Sequence, residues 1–470
     1  MRPDQRESRP LDHAPRREPL GRTRGRPETV EGRLLETAER LVRTSPADET
    51  EVLLAEGRAM LTRFSANRIH QNVGAEEAWA VVRVVAGKRI GVATASSLRA
   101  EALDAAREAA LAIARASEPS ADWPGLPGPR PVKAVDAWDE ATAEASADRR
   151  ADLAGAIIAS ARAKRCEAAG AIRTDDGALA VANSRGVAAA GSQTQATVHA
   201  VATREDGAGY AEGASTRIGE VDAGAIGRRA ARVAVRSRRP RALEPGRYDV
   251  VLEPAAVAEW LESLAWMAFS GKALEEGRSP LAGRMGEKVT GEAVTIWDNA
   301  LDRRTIPQAF DYEGMPKRRL ALIEDGVAKA VATNYAVARR LGKRRSTGHA
   351  LPATSAGECL PMHLFLKGGE SSARRLVAEM KRGLVVTRFH YTNILDPMKT
   401  VLTGMTRDGT FLVEDGEIVA PVRNLRYTQN VLEALGRMDG ASRQLVLVRG
   451  PYVVPTVRIR GVQFTGATEF

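Results

Sequence analysis

The segment AEWLESLAWM, residues 258–267, holds two carboxylates, Glu259 and Glu262, three residues apart. On a helix that spacing projects both from one face. Two carboxylates on one face can open a metal site, handle a proton, or pair with nearby cations such as Lys272 and Arg278. The stretch itself contains no histidine and no cysteine. The six histidines are His13, His70, His199, His349, His363 and His390. None forms an HExxH or HxH pair, whereas a zinc site needs three or four converging N, S or O ligands. The two cysteines, Cys166 and Cys359, lie far apart. That excludes a disulfide framework and a cysteine zinc cluster. They read as small buried apolar residues, which suits a reducing cytoplasm. GGESS (368–372) lacks the lysine of a phosphate-binding loop, and no GxSxG elbow is present.

These residues need elements to position them. RYDVVLEP (247–254) reads as a strand leading into a helix over 255–270. Before it, VEGRLLETAERLVRT sets Leu34, Leu35, Ala38, Leu41 and Val42 on one helical stripe. Strands follow, with turns expected at Glu56-Gly57 and Gly87-Lys88, then a helix after Ser97. Five prolines between 119 and 131 demand an extended connection. A helix (148–164), strands turning at Asp176-Gly177, and a helix (221–238) then repeat the pattern of helix, strands, helix. Beyond residue 245 strands predominate, with Asp-Gly turns expected at Asp325-Gly326, Asp408-Gly409 and Asp415-Gly416. A further helix is expected over 371–382.

With 470 residues, two domains are the expectation. The reading is an α+β chain with an Arg/Pro-rich tail (1–28) that cannot order itself. A domain of antiparallel sheet flanked by helices (29–240) comes next. A mostly antiparallel, barrel-like β domain (246–470) ends the chain. No apolar run approaches a membrane span, which leaves no role for a membrane partner. Net charge is +10, concentrated in GRRAARVAVRSRRPR (227–241) and RRLGKRR (339–345). Neither run interleaves aromatics, which argues against single-strand nucleic acid as a partner.

Particular strings say more. LTRFSANRIHQNV (61–73) resembles the N-terminal signature of the TldD/PmbA family of peptidases. The stretch from Lys381 to Asn430 is similar to that family's long C-terminal signature, and FDYEGMPKRRLALIEDGV (310–327) and SPLAGRMGEKV (279–289) to its central segments. The resemblance runs from about residue 30 to the end. It implies a choice between two kinds of subunit. The TldD-like kind carries HExxxH after the first strand of the C-terminal domain; its two histidines and a cysteine near the C-terminus hold zinc, and its glutamate is the general base. The PmbA-like kind, also called TldE, lacks the metal site. The two pair to degrade or trim unfolded peptides.

Aligned on VVLEP, the motif positions fall at Glu262, Ser263 and Met267, so all three expected zinc-site side chains differ. No histidine lies between His199 and His349, and no cysteine follows Cys359. Methionine suits soft metals rather than hydrolytic zinc. Serine cannot take a proton from water near neutral pH. The resemblance therefore implies a non-catalytic, metal-free chain, with zinc expected in a TldD-like partner and unfolded peptide as substrate. Two alternatives stand beside it: a self-sufficient homodimeric peptidase with an unconventional site, and a regulatory protein binding DNA or a DNA-topology enzyme. Arg63, Asn67, His70 and Gln71 in the first signature, and Arg388, Arg407 and Asp408 in the last, are candidate substrate or partner contacts. Their competing reading is structural: strand-to-loop hydrogen bonding, and a turn at Asp408-Gly409.

Overall fold

A computed structural model describes residues 29–467; the N-terminal tail read from the sequence lies outside them. The first sheet is six-stranded and antiparallel, in the order β3-β2-β1-β4-β5-β6. Its strands are β1 (Glu49–Ser65), β2 (Arg68–Ala86), β3 (Arg89–Ala95), β4 (Glu167–Asn183), β5 (Ala188–Arg204) and β6 (Gly207–Ser215). The helix Val30–Arg43 precedes β1 and the helix Ala100–Ala116 follows β3; Ala147–Arg162 and Ala223–Arg236 flank the second trio in the same way. The repeat of helix, strands, helix is thus a structural repeat, with β1 and β4 antiparallel at its centre.

Alternation in these strands separates two faces. Val52 and Leu54 of β1 pack with Leu34 and Leu41 of the first helix and Leu103 of the second. Leu53 points the other way, into a cluster with Val181 and Phe310. Two expected turns are absent. Glu56-Gly57 and Asp176-Gly177 lie mid-strand, where Gly57 and Gly177 are opposite partners. A Cβ on Gly57 would come 2.4 Å from the Asp176 carbonyl oxygen. These glycines permit a close approach of two backbones rather than a reversal. The reversals fall instead at Ala66-Asn67 and Ser184–Gly186, after full-length strands.

The second sheet has eleven strands and is mixed. Strand β7 (Gly246–Leu252) pairs in parallel with Arg382–Asp396 and antiparallel with Tyr452–Ala467. Through Val401–Glu414 and Leu425–Asn430 those strands close a ring. The barrel-like expectation corresponds to this ring. Asp325-Gly326 and Asp415-Gly416 are hairpin turns. Asp408-Gly409 is not: both residues sit inside strand Val401–Glu414, at positive φ (52° and 123°), beside a register shift. The Asp-Gly pair makes a bulge there and re-aims the Asp408 side chain. The two sheets are tied by buried charge: Arg83 of β2 bonds Glu51 of β1 at 2.8 Å and Glu313 of the second unit at 3.2 Å.

Candidate functional site

The helix Pro254–Met267 leaves β7 directly. Glu253 is extended and Pro254 occupies the first turn, where its missing N–H is not needed. Ten of its residues are buried, because the helix enters the apolar core beside the ring strands. Trp260 stacks on Phe389 with ring centres 5.5 Å apart, and Tyr427 tilts against both. That packing fixes the rotation of the helix. Met267 is turned into the core and is 3% exposed. Ser263 donates its hydroxyl to the Glu259 carbonyl four residues back, at 3.0 Å. Glu259 and Glu262 are left facing out of the core together, as their spacing requires.

Their partner is Arg449, in the turn between strands Met438–Val448 and Tyr452–Ala467 and at φ 51°. Its guanidinium lies 2.6 Å from Glu262 and 3.5 Å from Glu259. Lys272 and Arg278, closer in sequence, pair instead with Glu276 and Glu358. The Arg449 backbone N–H donates to Glu212 of β6 at 3.1 Å, so the same residue joins the motif helix to the first sheet. The second oxygen of Glu212 is buried without a partner. Burial pushes the carboxyls of Glu212 and Glu259 above their ordinary range, against the pull of Arg449 on Glu212 and of a Thr392 hydrogen bond and then Arg449 on Glu259. Burial works against the Arg449 charge, yet Glu262 and Glu259 hold its pKa above the usual arginine value.

Beside this knot, Arg388 bonds the bulge residue Asp408, with Nε 2.6 Å from the carboxylate. The Arg388 guanidinium lies over the Tyr210 ring of β6 at 4.2 Å. Across the face of the first sheet, cross-strand partners set out one row: Gln71, Arg63, Ala171, His199 and Glu212. Glu212 at the end of this row reaches Arg449, so the row runs to the motif helix.

The candidates from the sequence thus separate. Glu262, Ser263 and Met267 share a helix but not a site, since each is committed elsewhere. Arg388 and Asp408 are joined, and Arg407 sits half-exposed 4.0 Å from Asp408. Arg63 is on the row facing the second unit. Asn67 is structural: at φ 58° in the β1–β2 turn, its side chain donates to the Cys166 carbonyl at 3.0 Å and accepts from the Ala168 N–H at 2.9 Å. His70 is exposed on β2, where it is the extra residue of a bulge between the pairs Gln71–Arg63 and Ile69–Phe64. Sequence reasoning missed Arg449, Glu212 and Tyr210. Only the RGP turn signal at 449–451, between two apolar runs, marks one of them.

Comparison with known proteins places this geometry in a class. Residues 245–466 match the model of the PmbA/TldA metallopeptidase C-terminal domain, and residues 50–114 match PmbA/TldA metallopeptidase domain 1. Together they take in more than half of the chain. The chain belongs to the TldD/PmbA metallopeptidase family. A metalloprotease of Methanothermobacter thermautotrophicus is 29% identical over 216 residues, 46% of this chain and 47% of that protein. A metalloprotease TldD homolog of Haemophilus influenzae is 25% identical over 164 residues, 34% of this chain and 33% of that protein. The chain thus spans about half the length, or less, of these curated relatives. The crystal structure of TldE from Thermococcus kodakarensis superposes with a TM-score of 0.85 at 24% identity, covering 92% of this chain and 100% of that one. That likeness shows the fold.

The family name implies a metal, and the residues of the motif helix do not fit zinc. Glu262 is neutralised by Arg449, the Ser263 hydroxyl is turned onto its own helix, and Met267 is in the core. Among the described residues no three His, Cys, Asp or Glu side chains converge as a metal site would require.

Proposed function

We propose that this chain is the metal-free, non-catalytic subunit of a two-chain cytoplasmic peptidase acting on unfolded peptides, paired with a TldD-like, HExxxH-bearing chain that holds the zinc. One observation carries the reading: at the helix where the family resemblance puts the metal motif, a guanidinium sits 2.6 Å from the first motif position. A resident cation of this kind replaces the charge of a metal without its Lewis acidity. Ser263 supplies no base in place of the motif glutamate. The likeness in fold to a TldE supports the same subunit type. The cross-strand row from Arg63 to Glu212 then forms a polar wall along which peptide would pass toward the partner's metal.

The test combines metal analysis with reconstitution. Purified alone, the chain should carry no stoichiometric zinc and leave casein and unfolded peptide intact. Mixed with a TldD-like protein from the same organism, it should co-elute and confer chelator-sensitive cleavage. Zinc at one per chain with cleavage by the chain alone would overturn the reading in favour of a self-sufficient peptidase. Tight, sequence-selective DNA binding that survives physiological salt would favour the regulatory alternative.

A further inference from the structure

The first sheet leaves a slot along one edge of β5. Strand β6 pairs with β5 only from Ala196 onward, so the stretch before it has no strand outside it. Thr194 turns its N–H away from β4 and onto the Ala137 carbonyl, at 2.8 Å. Backbone groups alternate sides along a strand, and the β4–β5 register is unbroken. Ala190 and Ser192 therefore turn their N–H and C=O groups the same way as Thr194. Among the described residues no backbone group meets them. The proline-rich connection passes this edge, yet from Arg130 to Asp136 it makes no backbone hydrogen bond to it. The gap is part of a cavity of about 720 Å³.

The floor of the cavity is the face of the sheet turned toward the second unit. One cross-strand row on it reads Trp79, Ala55, Leu179, Gly191, and the next reads Glu77, Gly57, Gly177, Gln193. The glycines and the alanine leave the floor bare, while Trp79, Phe310 and Tyr312 line the same space. A Cβ on Gly191 would come 3.4 Å from the Phe310 ring, so that ring bounds the bare patch. Bare backbone framed by aromatic rings suits a large apolar side chain. Of the charged groups here, Asp175 and Asp176 are held by Arg173 and Arg58. Arg130 and Lys133 on the connection have no ion-pair partner among the described residues, and Glu77, likewise unpaired, lies across the sheet on β2.

We infer that this slot holds an extended acidic peptide, added antiparallel to the β5 edge, with a large apolar side chain seated over Gly191. A peptide is the ligand because it supplies N–H and C=O groups at the spacing the edge presents. Its side chains alternate between faces. The residue opposite Gly191 enters the cavity, and the N–H groups of its two neighbours meet Ser192 and Ala190. The free cations Arg130 and Lys133 favour a carboxylate on the bound segment. Gly191 and His199 share one face of β5, about 27 Å apart. The slot and the polar row thus lie on one wall. Naming a peptide as ligand rests on the proposed function, whereas the slot itself stands on the unpaired edge.

Fluorescence anisotropy with the full chain tests it, using the fluorescein-labelled peptide Thr-Val-Phe-Val-Asp as probe. N-methylation of both valines, whose N–H groups face the edge, should weaken binding about tenfold or more, and N-methylation of the phenylalanine less than about twofold. Gly191→Ala puts a methyl in ordinary contact with Phe310. It should weaken binding of this probe about fivefold or more and spare the probe with alanine in place of phenylalanine. Arg130→Glu/Lys133→Glu, at two exposed positions, should weaken binding about tenfold. Unchanged melting temperatures confirm that each variant is folded. No binding at about 100 µM chain, equal losses from the two kinds of N-methylation, or a Gly191→Ala chain that keeps its preference for phenylalanine would each overturn the inference. Binding is read without cleavage, so its failure leaves the subunit assignment standing. Cleavage by the chain alone would remove that assignment without touching the slot.

Discussion

Replacing Arg449 with alanine tests the central knot of the site. The substitution removes the cation between Glu262 and Glu259 but keeps the backbone N–H that reaches Glu212. The Glu262 side chain is 40% exposed, so water screens its loss to about 1 kcal/mol or less. Glu259 is 8% exposed and loses a charged partner in a desolvated position, a cost of about 1.5–3 kcal/mol. We expect a deficit of about 2 kcal/mol at pH 8. The sign of its pH dependence follows from burial. Glu259 titrates above its ordinary 4.5 because it is buried, and without Arg449 it must titrate higher still. A carboxyl whose folded pKa is raised leaves stability intact below about 4.5 and erodes it as pH rises through the folded value. The deficit of the variant should therefore widen from pH 5 to pH 8. Urea unfolding followed by tryptophan fluorescence at both pH values gives the comparison. An equal deficit at the two, or none at pH 8, would refute the assignment of Arg449 as the counter-ion of a buried carboxylate.

Further expectations come from other parts of the molecule. His363 is buried with Nδ1 unpartnered, and burial pushes its pKa from 6.5 down to about 4. A histidine so depressed contributes stability above pH 6.5 that is lost as pH falls toward 4, amounting to about 3 kcal/mol. His363→Leu should flatten the stability profile across that interval in thermal melts, and an unchanged slope would place the acid sensitivity elsewhere. Gly57→Ala sets a methyl 2.4 Å from the Asp176 carbonyl and should cost about 2–3 kcal/mol. Gly155→Ala, in the helix Ala147–Arg162 with nothing within 4 Å, should instead stabilise by about 0.5–1 kcal/mol. Equal melting shifts for the two would contradict the close-approach account.

Local pattern was readable wherever one residue type has one physical consequence. The apolar stripe of the first helix, the Gly87-Lys88 turn, the helix after VVLEP and the doubled order of helix, strands, helix all follow from periodicity and turn chemistry. Glycine misled where its two uses compete. At 57 and 177 it serves close approach between neighbouring strands, and at 409 a bulge, while the same residue at 326 and 416 makes true turns. Nothing within a few residues distinguishes these cases, since what separates them is the strand on the other side.

The order of residues alone settled which groups are present on the motif helix: carboxylates at 259 and 262, serine at 263, methionine at 267, and no histidine between 199 and 349. That much determines that this helix offers a metal no histidine, because ligand identity is a covalent fact. The identity of the counter-ion was decided by folding. Arg449 stands 187 residues from Glu262, yet ring closure brings its turn to the helix, while the nearer Lys272 and Arg278 are drawn to Glu276 and Glu358. Electrostatic partners are chosen by distance in space and by desolvation, and both exist only once the two sheets have packed.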